Sequence, residues 1–280
     1  MTSIGINGLG RIGRLLTRRL FERHDARAAL RLTMCNEVAD AATVAHLLKY
    51  DSTHGRFSQP VVTDGDHLNI VDQAVLLTHE TAQSNVRWSD RDVNIVIDCT
   101  GVEFNRSSAA QHLGGSVSRV MLSQPASTDV DGTIIWGLND STLTPDMSVI
   151  SAGSCTSNAL MPVLSVIDEA FGIRAGIVTT IHSAMNDQPV IDAYHHTDLR
   201  KTRAAFNSVI PVETGLAQGV ERFFPHLTHK ISARALRVPT LNVSSLDVVV
   251  SVECDTTSDE VNATLRESLG RFGGVLAVND

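Results

Sequence analysis

The run Ile4-Gly5-Ile6-Asn7-Gly8-Leu9-Gly10-Arg11-Ile12-Gly13-Arg14-Leu15-Leu16 restricts the fold more than any other stretch of the chain. A short apolar strand runs into Gly8-x-Gly10-x-x-Gly13, and a helix with apolar positions Ile12, Leu15, Leu16 and Leu20 follows. Glycines at this spacing serve a tight turn, a close approach of backbone to a pyrophosphate, and close packing of the helix on the strand. The helix N-terminus supplies unpaired N–H donors to phosphate oxygens. A second apolar strand, residues 30–35, ends in Asn36-Glu37. An acidic side chain there accepts the ribose hydroxyls of an adenosine and repels a 2′-phosphate. The pattern predicts a site for NAD rather than NADP, with Gly8, Gly10, Arg11, Ile12, Gly13 and Glu37 at the cofactor.

Two further runs extend this platform. Residues 93–99 are almost continuously apolar, as strands covered on both faces are. Arg119-Val120-Met121-Leu122-Ser123 is another such run, ending in a small polar residue. Strands alternate with helical segments, which predicts an α/β fold: an N-terminal Rossmann domain with a doubly wound parallel sheet. Ligands of such sheets sit beyond the carboxyl ends of the strands, so Thr100, Gly101 and Ser123 are expected near the cofactor. No internal repeat and no Pro/Gly/Ser linker interrupts the chain. Residues 1–150 therefore read as the NAD-binding domain and residues 151–280 as a catalytic domain, joined by a packed junction near 149–151.

In the second half one cysteine stands out. Ser151-Ala152-Gly153-Ser154-Cys155-Thr156-Ser157-Asn158 precedes a helix expected over residues 156–171, and His182 ends a β-branched run. A thiol at a helix N-terminus feels unpaired N–H groups and the positive end of the dipole, which stabilise a thiolate. An imidazole nearby completes the activation and then moves protons. Cys155 and His182 thus read as nucleophile and base. Cys35, Cys99 and Cys254 show no metal-ligand spacing, sit in or beside apolar runs, and are expected to be buried small hydrophobes.

An anion site is expected beside the thiol. The segment 183–205 is polar and irregular and carries Asp187, Arg200, Lys201 and Arg203, as a solvated loop or an oligomer contact would. Thr214 and Gly215 precede an amphipathic helix, residues 216–224, and offer a helix-start anion site. Arg237 lies among apolar neighbours in a strand, residues 231–238, where a charge is costly unless it meets a carboxylate or a phosphate. Its forked guanidinium suits phosphate oxygens. Thiolate, base and NAD together imply oxidation of a phosphorylated aldehyde. Cys155 adds to the carbonyl, His182 takes the hydroxyl proton, hydride leaves for the nicotinamide, and phosphate or water cleaves the thioester. The Cys155 N–H and the His182 ring are the natural stabilisers of the oxyanion.

Bulk properties narrow the remaining classes. A chain of 280 residues with 42% hydrophobic and 19% charged side chains has the composition of a globular protein of two domains. A formal net charge of −8 does not favour nucleic acid as a partner. No apolar run approaches membrane-spanning length and no N-terminal leader is apparent, so a cytoplasmic protein without membrane contact is expected.

Several motifs carry a family resemblance that extends over essentially the whole chain. Ile6-Asn7-Gly8-x-Gly10-Arg11-Ile12-Gly13-Arg14, Tyr50-Asp51-Ser52-x-His54-Gly55-Arg56-Phe57, Ser154-Cys155-Thr156-x-Asn158 and Arg237-Val238-Pro239-Thr240 resemble the glyceraldehyde-3-phosphate dehydrogenase family. Within it, Leu122-Ser123-Gln124-Pro125, His182-Ser183-Ala184-Met185-Asn186-Asp187-Gln188 and Val190-Ile191-Asp192-Ala193-Tyr194-His195 look most like the branch that oxidises D-erythrose 4-phosphate. The resemblance implies a C-terminal α+β catalytic domain with a mixed sheet, Cys155 as nucleophile and His182 as base. It implies substrate or inorganic phosphate near Ser154, Thr156, Asp187, Arg203, Thr214, Gly215 and Arg237. It also implies a homotetramer in which the segment after His182 lies at subunit contacts.

The chain departs from the family pattern in four places. Met185 stands where the glycolytic enzymes carry a threonine, which favours the erythrose branch and release of the thioester by water. Gly215 instead matches the glycolytic pattern. Ala152-Gly153 replaces an Asn-Ala pair before the nucleophile. Relatives continue past the position of Asp280 through further strands, a long helix and an asparagine for the nicotinamide carboxamide, so the chain is expected to be C-terminally short. Phosphorylating oxidation of glyceraldehyde 3-phosphate is the alternative activity. A non-catalytic NAD-binding relative and a thiol redox sensor are the alternatives of other classes.

Overall fold

A computed structural model describes residues 1–102 and 105–279. The chain forms two units, Met1–Ile134 with Ser141–Ser154, and Ile135–Asp140 with Cys155–Asp280. The first unit runs β1 (Thr2–Asn7), α1 (Arg11–Glu22), α2 (His24–Ala29), β2 (Leu30–Asn36), α3 (Ala41–Lys49), β3 (Tyr50–Asp51), β4 (Gly55–Arg56), β5 (Val61–Asp64), β6 (His67–Ile70), β7 (Gln73–Thr78), β8 (Ile95–Asp98), α4 (Arg106–Ala109), β9 (Arg119–Leu122), β10 (Gly132–Thr133) and β11 (Val149–Ser151). A nine-stranded sheet takes the order β10-β11-β9-β8-β1-β2-β7-β6-β5.

From β10 to β7 every pairing is parallel, the doubly wound arrangement read from the alternation of strands and helices. Ile4, Ile6, Leu32, Met34, Val96, Val120 and Leu122 are buried, which is why these strands read as apolar runs rather than as alternating ones. The far edge is antiparallel. Residues between Asp64 and His67 close β5 onto β6, and β6 pairs back onto β7. The two-residue loop Gly65-Asp66, with Gly65 at φ +54°, is a turn that favours hairpins.

Helix α1 turns a different face inward than its leucines suggested. Ile12 and Leu16 are 48% and 37% exposed, while Gly13, Thr17, Arg18, Leu20 and Phe21 are buried. The cause is Gly13, whose missing side chain lets α1 sit directly on the Gly8 carbonyl; a Cβ there would overlap that oxygen. Rotating the helix to satisfy that contact carries Arg18 inside. Arg18 finds partners there: its Nε donates to Leu48 O at 2.9 Å and its Nη2 to Lys49 O and Gly55 O at 3.2 and 2.6 Å. Its guanidinium also stacks 5.3 Å from the centre of the Phe57 ring.

The second unit contains α5 (Cys155–Phe171), β12 (Ile173–His182), β13 (Ile210–Val212), α6 (Leu216–Phe223), β14 (Ile231–Arg237), β15 (Ser245–Val252) and α7 (Ser258–Ser268). Its sheet has the order β13-β14-β12-β15. β12 pairs parallel with β14 and antiparallel with β15, and β13 is antiparallel to β14, so this sheet is mixed. Leu160, Met161, Leu164 and Ile167 recur along one face of α5 and pack with Val178, Ile231, Leu216 and Val220. The β12–β14 register sets His182 directly across from Arg237, at the ends of both strands.

The Gly13 contact yields a stability prediction. Gly13→Ala should lower the unfolding free energy in urea by about 1–3 kcal/mol, the usual cost of overpacking. Wild-type stability in this variant would show that α1 can slide away from β1 without loss.

Candidate active site

The first unit holds a cradle at the carboxyl ends of β1, β2, β8 and β9. The Gly8 N–H donates to Asn36 O at 2.8 Å, closing the turn after β1 onto β2. Gly10 precedes α1 without a side-chain cap, and the first turn, which holds Arg11, Ile12 and Gly13, carries no acidic residue. Such a helix start fits a pyrophosphate. Glu37 is closely tied to the same turn: Oε2 accepts the Leu9 N–H at 2.7 Å and Oε1 the Ala39 N–H at 3.3 Å. A carboxylate so held presents its charge where an adenosine ribose would be read.

Beneath the cradle lies a polar group that the sequence reading did not single out. Asp98, at the end of β8, is fully buried and accepts from Asn7 Nδ2 at 2.6 Å, the Thr100 N–H at 3.0 Å and Thr100 Oγ1 at 2.7 Å. His112 Nε2 adds a contact at 3.3 Å, and Trp88 Nε1 donates to His112 Nδ1 at 3.1 Å. Because an indole only donates, Nδ1 is unprotonated and Nε2 carries the proton toward Asp98. Burial opposes ionisation of Asp98, but the hydrogen bonds from His112, Thr100 and Asn7 outweigh it and hold the carboxyl below the usual carboxylate range. Thr100 is thereby positioned by two bonds, and the Ser123 N–H donates to Asp98 O at 2.9 Å. Gly101 follows with a left-handed φ of +74°. The available signal for Asp98 was a lone carboxylate closing an apolar strand, a burial that demands donors.

The second unit holds the thiol. Cys155 is the first residue of α5 and is exposed, one residue earlier in the helix than the sequence pattern placed it. Its Sγ lies 3.5 Å from His182 Nε2. His182 Nδ1 donates to Ser183 O at 2.7 Å, which leaves Nε2 free to face the sulfur. The His182 hydrogen bond lowers the thiol pKa against the opposing effect of burial, helped by the imidazole charge and the Thr156 N–H. The same contact raises the imidazole pKa, opposed by burial and by the Arg237 charge. The two values move toward each other, which enlarges the thiolate–imidazolium population near neutrality.

Beside His182 the anion-site residues divide. Arg237 Nη1 stands 3.5 Å from His182 Nδ1 and donates to Ser183 O at 3.4 Å. Arg237 Nη2 is 3.9 Å from Asp187 Oδ2, which also receives Lys201 Nζ at 2.8 Å. Lys201 was legible only as one charge in a solvated loop. Arg203 is engaged elsewhere, with Asp192 at 2.5 Å. Thr214 Oγ1 accepts the Leu216 N–H at 3.2 Å, so its hydroxyl caps the helix that Gly215 precedes. Thr156 is the second residue of α5, and Ser154 ends the first unit. Gly153, in the departure from the family pattern, adopts φ +70° and its N–H donates to Ser151 Oγ at 3.0 Å. Alanine, the family residue there, would be strained in that conformation.

The remaining thiols behave differently from one another. Cys35 and Cys99 are buried, and burial pushes Cys99 up to about 12 and Cys35 higher still. Cys254, expected inside, is exposed because it lies in the turn beyond the end of β15. Among the described residues no group of three His, Cys, Asp or Glu side chains could hold a metal ion, and no helix is long and apolar enough to cross a membrane.

These directions set a pH profile. Alkylation of Cys155 by iodoacetamide should rise with a midpoint below that of an ordinary thiol. His182→Asn should move the midpoint back up and slow alkylation at neutral pH about tenfold per pKa unit lost. An unchanged profile would mean that the imidazole does not activate the sulfur.

Comparison with known families accounts for both units. Residues 2–106 match the NAD binding domain of glyceraldehyde 3-phosphate dehydrogenase, and residues 154–280 match its C-terminal domain. The first match makes NAD the cofactor of the glycine-turn cradle, and the second covers Cys155, His182 and Arg237 together. With both domains present in order, the chain belongs to the glyceraldehyde 3-phosphate dehydrogenase family of NAD-dependent oxidoreductases.

Proposed function

We propose that the chain oxidises a phosphorylated aldehyde through a covalent thioester on Cys155, with D-erythrose 4-phosphate as the preferred substrate. The observation that carries this reading is the alignment of Cys155, His182 and Arg237 at one end of the β12–β14 pair. The first unit, largely residues 1–150, serves the cofactor, and residues 151–280 serve the substrate. Gly8, Gly10, Arg11, Ile12, Gly13, Glu37, Thr100, Gly101 and Ser123 would hold NAD. Bound there, NAD supplies the hydride acceptor that converts the thiohemiacetal to a thioester.

The chain's own residues do the rest. The Cys155 thiolate attacks the carbonyl carbon, and the alkoxide is stabilised by the Cys155 N–H and the imidazolium. The imidazolium gives its proton to the alkoxide, the neutral His182 takes it back as hydride leaves, and after losing it to solvent the ring takes a proton from the water that splits the thioester and releases the Cys155 thiolate. Arg237 receives a phosphate group, its charge only loosely claimed by Asp187. Ser154, Thr156, Arg203, Thr214 and Gly215 complete the phosphate contacts in this reading, which requires Arg203 to leave Asp192.

Met185 supports the erythrose substrate, since a thioether replaces a hydroxyl that would assist phosphate in attacking the thioester. Gly215 favours the second reading, phosphorylating oxidation of glyceraldehyde 3-phosphate. NADH formation with each aldehyde, with and without inorganic phosphate, separates the two. Faster turnover of erythrose 4-phosphate without a phosphate requirement is expected; strict phosphate dependence with triose preference would establish the alternative.

The loop after β12 supports self-association into the homotetramer that the resemblance implies. Val190, Ile191, Tyr194 and Leu199 are 71–83% exposed, an unusual cluster of apolar side chains for a free surface. Light scattering should give four chains per particle, and Leu199→Glu should reduce that number.

A further inference from the structure

Asp187 is offered two cations and takes the less buried one. Lys201 Nζ sits at 2.8 Å from Oδ2, while the Arg237 guanidinium waits at 3.9 Å. The side chain of Arg237 is 11% exposed, against 24% for Lys201 and 34% for Asp187. A buried guanidinium is the stronger partner for a carboxylate, since its fork matches both oxygens and it has less water to compensate it. Something must keep Asp187 from closing on Arg237, and Lys201 occupies the oxygen that would do so. Arg237 then remains with Ser183 O and His182 Nδ1 at 3.4 and 3.5 Å.

We propose that Lys201 is a positioning residue that engages Asp187 and so keeps the Arg237 fork turned toward His182 and open to the anionic group of the substrate. The substrate half of this inference rests on the reading under Proposed function; the effect on His182 and Cys155 does not. The charged and titratable groups acting on one another here are Cys155, His182, Arg237, Asp187 and Lys201, with Asp198 acting on Lys201 from its own pair with Arg200. Without Lys201, the full charge of Asp187 draws Arg237 into a bidentate pair. That removes a positive charge from beside the imidazole and closes the Arg237 guanidinium to other anions.

The test is a double-mutant cycle in the full chain. Lys201→Gln should raise KM for the phosphorylated aldehyde about two- to fivefold, the range of a partly exposed ion pair, with kcat and activity on the unphosphorylated aldehyde within twofold. Lys201→Arg should restore KM. In an Asp187→Asn background, where no carboxylate competes for Arg237, Lys201→Gln should have less than a twofold effect. Arg200→Gln, which removes a neighbouring cation paired with Asp198, is the control and should leave KM unchanged.

A second readout needs no turnover. The midpoint of Cys155 alkylation should shift in Lys201→Gln and not in Lys201→Arg, because the Arg237 charge acts on both the thiol and the imidazole. Equal losses for phosphorylated and unphosphorylated aldehydes, or the same effect of Lys201→Gln in both backgrounds, would overturn the proposal. If wild type oxidises neither aldehyde, the functional reading fails while the alkylation profile still decides the role of Lys201.

Discussion

Parallel strand pairing is the constraint on which both halves of this chemistry depend. Parallel neighbours end on the same edge of a sheet, so side chains at their last positions are brought together without any long loop. In the first unit this places Asn7 of β1 level with Asn36 of β2 and Asp98 of β8. In the second it places His182 of β12 level with Arg237 of β14. Polar groups gathered at one edge must then be satisfied by one another, and the hydrogen bonds that satisfy them also fix their orientation.

The two edges solve that problem with different chemistry. Asp98 is held by an amide, a hydroxyl, a backbone N–H and the His112 ring, which an indole orients from its other side. Those hydrogen bonds fix its geometry in a buried setting. At the other edge the groups alternate in charge, from Lys201 through Asp187 to Arg237, and then to the coupled imidazole and thiol. One edge is rigid by design and the other is able to shift protons and partners, which suits a cofactor cradle and a reacting centre respectively.

Much of the architecture is legible in the chain. The glycine turn, the apolar runs and the alternation of strands with helices carry the doubly wound sheet, because strands covered on both faces must be apolar throughout. Cys155 and His182 are legible as well, since helix starts and strand ends are where a thiolate and a base can be presented. What escapes is whatever depends on pairing across long separations. Lys201 looks like a solvated charge until Asp187 is seen beside it. Cys254 looks buried until β15 is seen to stop at Val252.

Arg18 shows how differently two parts of one unit respond to acid. Its guanidinium binds only carbonyl oxygens, of Leu48, Lys49 and Gly55, and neither side of those bonds titrates in the range where proteins unfold. The joint between α1 and the turn after α3 also carries the titrating pair of Arg14 and Asp51 at 3.6 Å, so only the Arg18 part of it is independent of pH. Asp98 belongs to the opposite class, since protonation weakens the bonds it accepts. The stability those bonds contribute is lost as pH falls through the lowered pKa of Asp98, while the bonds of Arg18 are unchanged.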